Sequence, residues 1–301
     1  MQLALGPLLY CWPREQVLSF YEQAAGWPVE IVYLGEVVCS KRRVLSLDEW
    51  LDLAKHLESA GKQVVLSTLT LLEAGSELGA LRRLCRNGHF DVEANDMAAV
   101  NILAAAGVEF IGGPTLNIYN PRTLAVLVGQ GLRRWVLPFE LSHPAASELI
   151  NAAPASCTCE VFAWGRLPLS WSARCYTARA ENRAKDQCEI ICRNDPDGRL
   201  VSTREGQPFL TINGVQMQSA LTQDLAPWIP EMEAAGIQVL RLSPQYSGMD
   251  EVVECFDRLR RDPGDQEVLR RLQSLAAVGV CDGYWHGEAG FANTANGLQQ
   301  S

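Results

Sequence analysis

The sequence predicts an α/β fold, a (β/α)8 TIM-like barrel with a cysteine-containing insertion after strand 7. Three observations predict it. An amphipathic helix closed by a glycine is repeatedly followed by a short run of Val, Ile, Leu or Phe, the text of a helix feeding a buried parallel strand. Eight such apolar runs occur along the chain, as the barrel requires. The rhythm breaks once, between Gly165 and Pro208, and a long excursion inside a compact domain is a place to look for function.

The first strand is expected near 3–8. It leads into Gly6-Pro7-Leu8-Leu9-Tyr10-Cys11, not into the glycine-rich phosphate loop of a doubly wound open sheet, so the barrel is preferred. The second strand covers 29–34. Next comes a helix opened by Ser46 and Glu49 in capping-box spacing, with Leu47, Trp50, Leu51, Ala54 and Leu57 on one face and Gly61 as its stop. Strands follow near 63–68, 90–94, 109–113, 134–138 and 159–164, and the eighth near 238–243 follows Ala235-Gly236. Residues 1–292 therefore read as one barrel-like domain with a cluster-binding insertion at 165–207, and 293–301 as a flexible tail.

With 301 residues, 48% of them apolar and 20% charged, the chain can bury a substantial core without disulfides. Its net charge of −9 repels polyanions, so no nucleic-acid partner is expected. No basic run precedes the first apolar residues and no stretch is long enough for a transmembrane segment. A cytoplasmic protein is expected.

Ten cysteines in such a chain point to metal binding or burial before disulfides. Cys175, Cys188 and Cys192 are separated by thirteen and four positions, and the last two would lie on one side of a helix if they were one turn apart. Cys39 follows the second strand closely, so it is expected on the same C-terminal barrel face and is the natural fourth ligand. Cys157 and Cys159 precede the seventh strand and belong to the opposite face. Cys11, Cys85, Cys255 and Cys281 read as small buried hydrophobes. Four thiolates serve zinc and iron–sulfur clusters alike, and spacing does not separate the two. The insertion adds a local excess of cations, among them Arg166, Arg174, Arg179, Arg183, Lys185 and Arg193, which would suit an anionic cluster or an anionic substrate.

Pocket residues should end barrel strands on that same face: Asn95, Asn117, Glu160 and Arg241 are the candidates. A protease would need a nucleophile with a base or an open metal site, and neither an HExxH nor a GxSxG pattern is present. His56, His89, His143 and His286 show no ligand spacing.

The segment Glu160-Val161-Phe162-Ala163-Trp164-Gly165-Arg166-Leu167-Pro168-Leu169-Ser170-Trp171-Ser172-Ala173-Arg174-Cys175, with Cys188-Glu189-Ile190-Ile191-Cys192 and Asn117-Ile118-Tyr119-Asn120, resembles the signature of the collagenase-like peptidase family. Two positions depart from it: Trp164 stands where the family usually has histidine, and Pro168 where it has its first signature cysteine. In the branch this chain is most similar to, the position of Cys39 supplies the missing ligand. The resemblance implies a 4Fe-4S cluster on Cys39, Cys175, Cys188 and Cys192 and a heterodimer with a UbiU-like paralogue. It further implies O2-independent hydroxylation of the aromatic ring of a ubiquinone precursor, in anaerobic metabolism, with prephenate as the hydroxyl donor. A peptidase, or a non-catalytic redox or structural subunit of the heterodimer, are the alternatives it leaves.

Overall fold

The computed structural model describes residues 1–294. From the N-terminus, β1 (Gln2–Leu5), β2 (Ile31–Leu34), β3 (Gln63–Ser67), β4 (Asp91–Ala94), β5 (Phe110–Gly112), β6 (Leu132–Val136) and β7 (Thr158–Trp171) alternate with helices. The helices are α1 (Arg14–Ala24), α2 (Leu47–Ser59), α3 (Glu77–Cys85), α4 (Met97–Ala105), α5 (Pro121–Gly129) and α6 (His143–Ala152). After β7 the chain makes α7 (Tyr176–Ala180) and three strands, β8 (Arg199–Ser202), β9 (Pro208–Asn213) and β10 (Gln216–Asp224). It returns through α8 (Ile229–Ala234) to β11 (Val239–Leu242), then finishes with α9 (Met249–Leu259), α10 (Gln266–Ser274) and β12 (Val280–Cys281).

Strands β1 to β7 pair in parallel and in sequence order, and β11 pairs in parallel with both β7 and β1, closing an eight-stranded barrel. The predicted fold class is the observed one. Side chains alternate across each strand: Ala4, Ile31, Tyr33, Val65, Ile111 and Val239 form a small inner cluster, while Leu3, Leu5, Val32, Leu34 and Leu240 join the larger layer beneath the helices. The capping box at the start of α2 forms as expected, with Ser46 Oγ accepting from Glu49 N and Glu49 Oε2 accepting from Ser46 N.

Strand β7 serves both the barrel and the antiparallel strands that extend its sheet. Up to Trp164 it lies parallel to β11, and from Trp164 to Trp171 it runs antiparallel to β10. Gly165 sits at the switch with φ 130°, where an added Cβ would come 2.5 Å from Ser243 Cβ and 2.9 Å from Phe162 Cζ; only glycine is free of that conflict. The excursion after β7 thus holds more regular structure than its lack of an apolar period predicts, because its strands β8 to β10 alternate polar and apolar residues in an antiparallel meander that runs to Asp224. Of the expected tail, Thr294 N donates to Asp282 Oδ1 and Asn293 Nδ2 to the Val280 carbonyl; the remainder lies outside the described residues. No helix among the described residues is long and apolar enough to cross a membrane.

Candidate functional site

Cys39 sits in the loop after β2. Glu36 shapes this loop: its Oε1 accepts from the backbone N–H groups of Val38 (2.8 Å) and Cys39 (3.0 Å). Cys175 is the N-cap of α7, its sulfur accepting from Ala178 N at 3.4 Å. Cys188 ends a short 3-10 turn (Lys185–Gln187) and Cys192 lies within a second (Ile191–Asn194). All four cysteines line a single recess of about 330 Å³, together with Lys41 and Arg42.

The structure corrects the sequence reading at two points here. Cys188 and Cys192 are not one helical turn apart, because Glu189 and Ile190 both adopt left-handed backbone (φ 49° and 53°) and break the turn between them. Cys11, taken for an isolated buried hydrophobe, is buried but stands beside Cys192 and couples to its titration. Of the cations of the insertion, Arg183 pairs with Glu189, Lys185 with Glu73 and Arg199 with Glu181 and Asp195, and Lys185 also lines the recess.

The cation that matters at the recess is Arg42, which sequence reasoning missed. It is 3% exposed. Its Nη1 donates to the Leu9 carbonyl (3.1 Å) and its Nη2 to the Asn213 carbonyl (3.0 Å) and side chain, while Nε has no acceptor among the described residues. The neighbouring Cys11 thiol, aided by the Arg42 charge, lowers the Cys192 thiol, while that of Cys11 is driven up. Burial raises the thiols of Cys39 and Cys175, and raises Glu36 to about 7 against the pull of Arg42. Among the described residues no three His, Cys, Asp or Glu side chains converge closely enough to hold a metal ion.

A second recess, about 400 Å³, opens at the C-terminal mouth of the barrel. Its walls include Leu9, Val37, Phe139, Phe162, Pro168 and Trp171, and its polar edge includes Asn95, Ser243 and Arg241. Arg241 reaches inward from β11, its Nε donating to Glu160 Oε1 (2.6 Å) and its Nη1 paired with Glu93 Oε1 (2.8 Å). The guanidinium lies 4.1 Å from the centre of the Tyr33 ring, and Tyr33 Oη donates to Glu160 Oε2 at 2.6 Å. Burial opposes the Arg241 charge, but the carboxylates of Glu160 and Glu93 together outweigh it and its pKa rises; burial likewise raises that of Tyr33.

Of the four pocket candidates, Asn95 and Arg241 line this recess, and Glu160 lies fully buried beneath it as the support of Arg241. Asn95 is itself held, Nδ2 donating to the Thr68 carbonyl (3.0 Å) and Glu93 Oε2 (3.1 Å). Asn117 is displaced into an adjoining groove beside Tyr119, Glu140 and Trp171, because its left-handed backbone (φ 55°) turns the chain there. Trp164 is fully buried, with Nε1 donating to Gln245 Oε1 at 3.0 Å. Leu9 joins the two recesses, lining the barrel mouth while its carbonyl accepts from Arg42.

The family model described as Peptidase family U32 matches residues 15–292. Among solved structures, the chain is similar to the U32 peptidase Mk0906 at 12% identity and a TM-score of 0.45, over 81% of this chain and 94% of that one. It is similar to dihydropteroate synthase from Thermus thermophilus at 13% identity and a TM-score of 0.43, over 86% and 94%. A mutant tryptophan synthase α-subunit from Pyrococcus furiosus matches at 11% identity and a TM-score of 0.44, over 91% and 98%.

Proposed function

This chain belongs to peptidase family U32, and from that membership we propose that it is a UbiV-like iron–sulfur subunit of an O2-independent hydroxylase acting on the aromatic ring of ubiquinone precursors. The observation that carries the reading is the meeting of Cys39 with Cys175, Cys188 and Cys192 around one recess, at the positions the family resemblance assigns to a 4Fe-4S cluster. The donor set fits that group: four thiols line the space, and a buried guanidinium with a free Nε–H stands beside them. When bound, the cluster would supply one-electron transfer.

The protein's own residues do the rest. Arg42 brings positive charge to a place where thiolates gather, which favours their ionised form. Glu36 fixes the backbone at Cys39, and the N–H of Ala178 holds the sulfur of Cys175. At the barrel mouth, Glu160 and Glu93 hold Arg241 in one orientation, so that a substrate would meet a pre-arranged donor with no reorganisation to undergo. Trp171, Phe139 and Phe162 offer the apolar walls an aromatic ring would take. In this reading the protein works in the cytoplasm of an anaerobically growing cell, as a heterodimer with a UbiU-like paralogue and with prephenate as hydroxyl donor.

The test is anaerobic purification followed by iron, sulfide and zinc assays beside the visible spectrum. About four irons and about four sulfides per chain are expected, both lost in Cys39→Ala; stoichiometric zinc without sulfide refutes the cluster. Deleting the gene should abolish ubiquinone synthesis only without air, and normal anaerobic quinone in the deletion strain refutes the pathway assignment. Peptide hydrolysis abolished by Cys39→Ala would favour a peptidase instead. A heterodimer that keeps full activity after Cys39→Ala would favour a structural subunit.

A further inference from the structure

Where the barrel strands β7 and β11 end, the molecule has a further recess that the proposed hydroxylation does not use. It offers about 270 Å³ of space that a ligand can enter, just short of the ~300 Å³ at which drug-sized sites begin. The loops after the last two strands of such a barrel often bind phosphate groups, but the charges here differ. Arg166 enters from β7 and Asp197 from the excursion, and both are partly exposed.

These two residues carry opposite charges and do not pair. Arg166 is anchored through Nε to the Ala220 carbonyl (3.3 Å) and through Nη1 to the Asp197 carbonyl. Asp197 Oδ1 accepts from Tyr246 N at 2.8 Å, and Oδ2 has no donor among the described residues. Neither side chain forms an ion pair, with the other or with a third group, among the described residues. The Tyr10 hydroxyl, which also lines the recess, feels both charges, so the two fields overlap in one space. Burial works against the Asp197 carboxylate, with the Tyr246 N–H and the Arg166 charge opposing that effect. Opposite charges held apart in partly dehydrated surroundings leave their attraction unrealised. A molecule with one charge of each sign completes both.

That requirement restricts the ligand. A phosphate would meet the Asp197 carboxylate, and a simple amine would meet Arg166. An α-amino acid carries a carboxylate and an ammonium on one carbon. The hydroxyls of Thr222, Ser243 and Ser247 line the same recess and have no hydrogen-bond partner among the described residues, so they are free to accept from an ammonium or donate to a carboxylate. Pro244, Leu275 and Ala277 give the recess an apolar side, suited to an aliphatic side chain. We propose that this recess binds a free α-amino acid with an aliphatic side chain, its carboxylate on Arg166 and its ammonium on Asp197. The proposal goes beyond the hydroxylase reading and needs no metal, so it stands or falls independently of the cluster.

The purified protein, with its metal content recorded, is titrated calorimetrically with L-leucine, with 4-methylpentanoate (no ammonium), with 3-methylbutylamine (no carboxylate) and with inorganic phosphate. Leucine should bind saturably and the other three at least about tenfold more weakly, a factor that one charge-assisted hydrogen bond readily supplies. Equal binding of 4-methylpentanoate overturns the role of Asp197, and equal binding of 3-methylbutylamine overturns that of Arg166. Phosphate binding as tight as that of leucine, or no saturable binding of leucine at millimolar concentration, overturns the proposal as a whole. Asp197→Asn keeps an acceptor for Tyr246 N and should bring leucine down to the level of 4-methylpentanoate; an unchanged leucine affinity refutes the ammonium site. If that variant fails to fold, Ala277→Trp, which fills the recess from an exposed position, should weaken leucine by about tenfold or more, and unchanged affinity there overturns the site.

Discussion

At the scale of single residues, the barrel interior depends on charges that must stay matched. Glu160 is fully buried and receives both Tyr33 Oη and Arg241 Nε. Glu160→Gln leaves the guanidinium short of a carboxylate in a place without water, and removing one partner of a buried pair costs about 3–5 kcal/mol; urea unfolding should show that loss, and a change under 1 kcal/mol would contradict the network. Asp224 behaves in the opposite sense. Burial lifts its carboxyl to about 7 from an ordinary 3.8, with the charge of Asp282 adding to the rise and the Ala226 N–H opposing it. The folded protein therefore holds this proton up to about pH 7 while the unfolded chain releases it near pH 4. Stability from this group is full below about pH 4, declines as pH rises towards 7, and is level above that. Asp224→Asn should flatten the decline in denaturation midpoints measured between pH 4 and 7, and an unchanged slope would assign it to other groups.

At the scale of elements, the helices and barrel strands were legible because each carries its own period and stop: Ser46 and Glu49 open α2, and Gly61 closes it. The four ligand candidates were legible from which strand ends they follow. The neighbours of the site were not, because Cys11, Arg42 and Asn213 reach it from three separate segments whose approach is a tertiary event. The strands β8 to β10 were missed for another reason: polar residues on one face of an antiparallel meander leave no apolar run to read, and strand β7 continues past its barrel partner into that meander. Gly165 makes this continuation possible. Gly165→Ala adds positive-φ strain and a contact of 2.5 Å with Ser243 Cβ, together worth about 2–4 kcal/mol. Pairing it with Ser243→Gly should recover the part due to Ser243 and leave the Phe162 contact and the backbone part. Thermal unfolding of the single and double variants checks this, and strictly additive losses would remove Ser243 from the account.

On the scale of the whole molecule, the excursion continues the barrel's sheet through β7 and β10, and Arg42 ties its far end to the barrel mouth. Its guanidinium bridges the Leu9 carbonyl, at the barrel mouth, to the carbonyl and side chain of Asn213 at the end of β9. Gln216 Nε2 reaches the same Leu9 carbonyl at 2.6 Å, and Trp12 Nε1 donates to the Pro196 carbonyl at 2.7 Å. Asn213 in turn donates from Nδ2 to the carbonyls of Cys192 and Asp195, so the backbone at one ligand candidate is two hydrogen bonds from Arg42. Arg42→Met keeps the aliphatic stem but leaves the Asn213 oxygens buried without a donor. The cost falls on the contact between Arg42 and Asn213, since no strand pairing is lost. The expected outcome is a local opening: limited proteolysis should nick the exposed stretch around Glu181–Asn182–Arg183 far faster than in the parent protein, while far-UV circular dichroism retains the barrel. Because Cys175, Cys188 and Cys192 ride on the excursion and Cys39 on the barrel, iron held as proposed above should also be lost from the same variant under mild chelation. Parent-like nicking would mean that the β7–β10 pairing, Gln216 and Trp12 suffice to hold the excursion without Arg42.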